Sequence, residues 1–183
     1  NYIAHLTETR GEGHSHWRAL LRGSQVSWPK SYSSLGAPSH TSVHQEAIIL
    51  SKRIRAPQQY REYTPSSLFT AICARAIASL TSSDDVVLGY LTTGRPCLAP
   101  GLQEMAGPCV NIVPVRVLLQ QDVKFENVLS AVQKQRIEGF SRDSDQLSDI
   151  VKSCTDWPLD TEHFGFGVHF LNIEDQLKNK ISD

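Results

Sequence analysis

Hydrophobic and polar positions fall into two kinds of block along this chain, one with helical spacing and one with strand-like density. Between 65 and 81, Leu68, Phe69, Ile72, Cys73, Ala76, Ile77 and Leu80 make a continuous apolar stripe, which predicts an amphipathic helix. Thr64 is placed to cap it, and Pro65 suits the first helical position, where a missing N–H costs no bond. A second helix is predicted over 123–140, with Phe125, Leu129, Val132 and Phe140 on one face. Arg136 falls on that same face, so its guanidinium must reach outward or find a partner. Shorter helices follow from Trp17, Leu20 and Leu21 over 15–22, with Ser15 as cap and Gly23 as stop, and from Leu147, Ile150, Val151 and Cys154.

Val86 to Thr93 is a short apolar run suited to a buried strand, and Cys109 to Leu119 is a second one, rich in Val and Ile. Ala47 to Arg55 and Phe164 to Ile173 read as further strands. Ser, Pro and Gly dominate 24–42, which reads as a surface connection, and Arg95 to Gly107 is a Pro- and Gly-rich loop. The order is helix, loop, strand, helix, strand, strand, helix, helix, strand. That order predicts an α/β sandwich with a mixed sheet.

Composition narrows the function classes. Apolar residues make up 40% of 183 and charged residues 20%, enough for a real core and too ordered a balance for a disordered chain. With 18 basic and 19 acidic residues and no basic run, nothing favours a nucleic-acid backbone. No stretch reaches the roughly 20 apolar residues of a membrane span. The first residues form no signal peptide and lack an initiator Met, so a longer parent is expected. Cys73, Cys97, Cys109 and Cys154 are widely spaced in apolar or helical contexts, which reads as reduced buried thiols and a cytoplasmic setting.

Known chemical motifs are mostly missing. His40 and His44 have the spacing of a zinc-protease helix, but Thr41 stands where the Glu is needed, so no metal site is assigned. There is no Gly-x-Ser-x-Gly elbow and no phosphate loop, and Gly165-Phe166-Gly167 is too short for a dinucleotide fingerprint. Two segments stand apart. One is Val86 to Pro96, a buried strand that delivers Arg95 at its exit; a solvated turn is the plainer reading of it. The other is Glu104 to Arg116, where Asn111 inside an apolar run needs its amide satisfied and Pro114 removes a ladder donor. Such a strand is interrupted, or lies near an edge or opening. Asn111 then either faces a channel or makes a core hydrogen bond.

The run from Val86 to Val117 carries Gly94-Arg95-Pro96, Pro100-Gly101 and Met105-Ala106-Gly107-Pro108-Cys109-Val110-Asn111 through Arg116. It resembles condensation domains of nonribosomal peptide synthetases, especially fungal ones. Trp17 to Ser24 is similar to the helix after the family's first subdomain, and Gln146 to Val151, and Asp156-Trp157 followed by Phe164-Gly165, are similar to later landmarks, all in the right order. The resemblance implies a chloramphenicol-acetyltransferase-like sandwich with a mixed β-sheet packed by helices, one subdomain of a V-shaped two-subdomain domain around a tunnel. Residues 1–45 would be a connecting helix and linker, and 46–183 most of the C-terminal subdomain.

The implied activity is amide formation between substrates tethered to phosphopantetheine of carrier domains, beside an adenylation domain. Terminal cyclisation with peptide release, epimerisation, or a non-catalytic platform role fits the same chain order. The family's His-His-x-x-x-Asp-Gly motif is absent, since no His here is followed by Asp four residues on. No catalytic residue is therefore assigned to this chain, and the missing N-terminal half becomes an implied partner. Arg95, with Arg116 as runner-up, would be the structural Arg that pairs with the motif's Asp. Gly107 and Asn111 would line the floor loop of the tunnel. Phe170-Leu171-Asn172 stands where the fungal family usually carries His-Gln-Asn, so His169 receives no role.

Overall fold

The computed structural model describes residues 13–30, 49–52, 58–93 and 110–171. Four helices are present there: α1 (His14–Leu21), α2 (Pro65–Thr81), α3 (Phe125–Gly139) and α4 (Leu147–Cys154). Three strands accompany them: β1 (Asp85–Thr92), β2 (Asn111–Leu118) and β3 (Gly167–His169). The sheet order is β2-β1-β3, with β1 antiparallel to β2 and parallel to β3. The expected mixed sheet between helices is what forms.

Val86, Val87 and Leu88 are all fully buried, so both faces of β1 must be covered, because successive strand residues point to opposite sides. On one side α2 and α3 supply Leu68, Ala71, Ala74, Ile77, Val128, Leu129 and Val132 against Val86, Leu88, Val115 and Val117. On the other, α1 and α4 bring Trp17, Leu21, Ile150, Val151 and Cys154 around Val87, with Trp157 beside them. Burying each such aliphatic side chain contributes about 1.5–3 kcal/mol.

The start of α2 matches its sequence signals: Thr64 Oγ1 accepts from the Ser67 N–H at 3.1 Å, and Pro65 opens the helix. Its buried stripe is rotated from the expected one. Ser67, Leu68, Thr70, Ala71, Ala74 and Ile77 face inward, while Phe69, Ile72 and Leu80 are exposed. The hydroxyls explain the choice. Thr70 donates to the Ser66 carbonyl at 2.8 Å and Ser67 is bonded to Thr64, so these small polar residues enter the core with their bonds made. α1 begins one residue before the expected Ser15, with Gly13 as its N-cap and no side-chain cap bond. Gly23 ends that helix at a φ of 69°, the left-handed region where glycine carries no Cβ penalty.

Of the two readings of the Pro114 strand, interrupted or at an edge, the edge is what forms among the described residues, and further expectations need correction. Pro114 does not interrupt β2, which runs unbroken through it. The Arg116 N–H and carbonyl turn away from β1 to the Gln135 carboxamide, at 3.1 and 2.8 Å. Pro114, two residues back, has its nitrogen on that same outer edge, where no ladder bond is lost. The segment after α1 is not a surface connection at its start: Ser24 and Ser27 are buried. Ser27 behaves as a strand residue toward β1, its N–H donating to the Val87 carbonyl at 3.1 Å and its Oγ accepting from the Val87 N–H at 3.0 Å. Gly165 permits the approach, since a Cβ there would lie 2.6 Å from the Ser27 carbonyl oxygen. Finally, residues 49–52 form no strand and Ile49 and Leu50 are exposed, so the expected strand over 47–55 is not built in its described part. Of the last expected strand, 164–173, only Gly167–His169 is paired among the described residues.

Candidate functional site

The β1–β2 ladder ends on the pair Thr92↔Asn111, which bounds residues 93–110. Both members are tied to the turn that follows α3. Thr92 Oγ1 donates to Asp143 Oδ2 at 2.9 Å, and Asn111 Nδ2 donates to the carbonyls of Asp143 and Asp145, each at 2.8 Å. Two carbonyl partners can only accept, so the orientation of the Asn111 amide is determined by chemistry. Of the two roles open to Asn111, its N–H groups take the hydrogen-bonded one.

Asp143 is held from its other side by Arg136. The guanidinium makes a two-point contact, Nη1 to Oδ1 at 3.1 Å and Nη2 to Oδ2 at 2.9 Å. It also lies 4.1 Å from the centroid of the Tyr90 ring, whose π face favours a cation. Tyr90 Oη and Ser66 Oγ are 2.6 Å apart, which links the group to the first turn of α2. The partner that helical spacing demanded for Arg136 is therefore an aspartate seven residues on.

Asp145 extends the network to α1, its Oδ2 accepting from Trp17 Nε1 at 2.7 Å. Gly13 leaves room for that carboxylate, because a Cβ at 13 would collide with it. Burial raises the Asp145 pKa above the ordinary carboxylate value, opposed by the Trp17 bond and by Arg142, His14 and His16. His16 sits edge-on to Trp17, and its Nε2 is buried without a hydrogen-bond partner among the described residues. Burial lowers its pKa, with Arg142 adding to that and Glu138 and Asp145 opposing, so the neutral imidazole is favoured. Among the described residues no nucleophile is hydrogen-bonded to its Nε2. Its position makes it part of the packing.

Arg116 lies at the other end of the sheet. Nε and Nη2 grip Asp85 at 2.9 and 2.7 Å, and Nη1 donates to the Leu20 and Arg22 carbonyls, both at 2.9 Å. Four of its five N–H donors are thus used in fastening the end of α1 to the sheet. Arg95 and Gly107 lie outside the described residues, as do His40 and His44. Among the described residues no group of three or more His, Cys, Asp or Glu could hold a metal ion, and no helix is long and apolar enough to cross a membrane. Cys73 and Cys154 are free thiols whose pKa burial pushes up.

Asp143, Asp145, Thr92 and Tyr90 were not singled out by sequence. Arg136 carried a signal as a charge on an apolar face, and Asn111 one as a polar residue in an apolar run. What the site can do is hold two strand ends in register with α1, α2 and α3. Its described residues offer fixed hydrogen bonds.

A family model described as Condensation domain matches residues 2–182. A nonribosomal peptide synthetase, ungA, of Aspergillus violaceofuscus is 35% identical over 174 residues, covering 94% of this chain and 2% of that protein. Cyclosporin synthetase simA of Tolypocladium inflatum is 33% identical over 174 residues, covering 94% of this chain and 1% of its own length. The crystal structure of holo T3CT superposes with a TM-score of 0.78 at 25% identity, over 94% of this chain and 38% of that one. The starter condensation domain of rhizomide synthetase shares the fold, at a TM-score of 0.61 and 17% identity, over 92% of this chain and 37% of that one. The chain thus spans well under half of the solved chains and a few hundredths of the synthetases that it matches. Its mixed sheet packed by helices is the chloramphenicol-acetyltransferase-like fold of those domains, and the chain belongs to the condensation-domain family of nonribosomal peptide synthetases.

Proposed function

We propose that this chain is most of the C-terminal subdomain of a condensation domain, with residues 1–45 as the connection to it, in a synthetase that joins carrier-tethered substrates through an amide bond. The acceptor amine attacks the carbonyl carbon of the donor thioester. A C–N bond forms, the C–S bond breaks, and the amine proton leaves while the pantetheine sulfur is released as a thiol. Holding both reactants on carriers converts a bimolecular step into a positioned one. The observation that carries this reading is the family match over residues 2–182, together with the clamped strand ends at Thr92 and Asn111.

In this reading Gly107 and Asn111 belong to the floor loop of the tunnel, and the His motif and its Asp come from the missing N-terminal half. Arg95 is the candidate partner for that Asp. Arg116 is the runner-up; an incoming carboxylate would have to share it with Asp85. The carriers supply phosphopantetheine, an adenylation domain loads them, and reduced buried thiols favour a cytoplasmic setting. A second reading is cyclisation with release. It draws on a relative described as a bassianolide nonribosomal cyclodepsipeptide synthetase, 29% identical over 175 residues.

The test is intact-protein mass spectrometry on the complete domain with loaded donor and acceptor carriers. An acceptor carrier heavier by the donor acyl group supports condensation. A free cyclic product with an unacylated acceptor carrier supports release instead, and no transfer of either kind leaves a platform.

A further inference from the structure

α1 is fastened unequally at its two ends. At the C-terminal end Arg116 Nη1 donates to the Leu20 and Arg22 carbonyls, and Arg116 is itself paired with Asp85. The first turn begins at Gly13, an N-cap with no side-chain cap bond. That turn is kept on the rest of the fold by Trp17, whose Nε1 donates to Asp145 Oδ2, while the Asp145 carbonyl accepts from Asn111. Eight residues are too few to stay helical without such packing.

His16 stands at this junction. Its ring is edge-on to Trp17, and its buried Nε2 faces Gly139 at the end of α3, where a Cβ would lie 3.7 Å from it. A neutral imidazole suits that place by keeping its single proton on Nδ1. A charged one carries a proton on both nitrogens, and the Nε2–H becomes a buried donor with no acceptor among the described residues. Glu138 of α3 and Asp145 favour the charged ring, whereas Arg142 and, most of all, burial oppose it. His14 and Arg18 lie on its own helix, and Asp149 and Lys152 on α4, the other helix packed on α1.

We propose that His16 is a pH-sensitive clasp: neutral, it keeps the first turn of α1 closed on Asp145, and charged, it lets that turn open while the sheet and the Arg116-held end stay in place. The opening is local, because the turn has one polar tie to lose and the far end of α1 keeps its own. The device does not depend on the reaction proposed above.

The test is hydrogen exchange of the Trp17 indole N–H, followed by NMR on the 183-residue chain at about pH 7.5 and about pH 5.5, corrected for intrinsic rates. Protection of the indole should fall by up to about tenfold on acidification, the most that a freed imidazole titrating near 6.5 contributes between those values. Urea well below the unfolding transition should barely alter that exchange while it speeds the slowest amides of β1, since a local opening exposes little surface. His16→Gln should abolish the fall. Asp145, the neighbouring carboxyl, is favoured in its protonated form by burial, so acid acting through it raises protection instead. Indole protection that does not fall in the wild type, or a fall that persists in His16→Gln, overturns the proposal. So does a urea dependence equal to that of the β1 amides, which would mean that only global unfolding frees Trp17.

Discussion

Arg136 and Asp143 form a two-point ion pair, at 3.1 and 2.9 Å, in which the carboxylate is 2% exposed and the guanidinium 16%. Taking two charges out of water costs several kcal/mol, so such a pair is sustained by its mutual contact and its extra bonds, here from Thr92 and the Tyr90 ring. Removing one member should therefore be worse than removing both. Asp143→Ala is expected to cost about 3–5 kcal/mol by leaving Arg136 buried and unpaired, and the double variant Arg136→Met with Asp143→Leu should cost less. Urea denaturation measures both. Costs that simply add would show that the two residues do not act as a pair.

Asn111 is the residue at which an isosteric change should do the most harm. Its Nδ2 faces two backbone carbonyls, and Asn111→Asp puts a carboxylate oxygen in its place with nothing to donate. Asn111→Ala merely loses the bonds, at about 1–3 kcal/mol for the carbonyls left unsatisfied. The Asp variant should be the less stable of the two at neutral pH, and should recover part of the difference as acid protonates it. Thermal melts at pH 7 and pH 4 compare them. Equal stability at pH 7 would mean that the carboxamide is not held as described.

The His16–Asp145 neighbourhood makes stability depend on pH in two opposed ways. His16 has a folded-state pKa below the ordinary 6.5, so the unfolded chain binds its proton more readily. Stability from its neutral form is complete above 6.5 and is lost as pH falls toward the lowered value. Asp145 is raised above 3.8, so its contribution is complete below 3.8 and is lost as pH rises through the raised value. Mild acidification just below 6.5 should thus destabilise the wild type, and His16→Gln should flatten that part of the curve. Chemical denaturation between pH 5 and pH 8 gives the comparison. An unchanged slope in the variant would remove His16 from the account.

Much of the fold was legible because its signals were local. The Thr64 cap with Pro65, the β1 run, and the glycine at 23 are short-range features, and each is built as expected. The rest depended on long-range partners. Phe69 and Ile72 belong to the apolar stripe of α2 by spacing, yet Ser67 and Thr70 took the buried side once local bonds satisfied their hydroxyls. Ser27 looked like a surface residue until Val87, 60 positions away, used it as a strand edge. Pro114 argued correctly for an edge, and the ladder around it did not need to break.

The candidate site divides in the same way. Arg136 announced its need for a counter-charge by lying on an apolar face, but no spacing rule named Asp143 or tied Asp143 to Thr92. Asn111 stood out as a polar residue within a strand, while its partners lie 32 and 34 positions further along the chain. Only folding brings them together.

The role of the chain as part of a condensation domain is decided by comparing the isolated 183 residues with the complete domain, using the same loaded donor and acceptor carriers and reading carrier masses at single turnover. The complete domain should make the acceptor carrier heavier by the donor acyl group, and the isolated chain, which lacks the His motif, should leave both carriers unchanged. Amide formed by the isolated chain above the uncatalysed background would contradict the account, and so would a complete domain that transfers nothing.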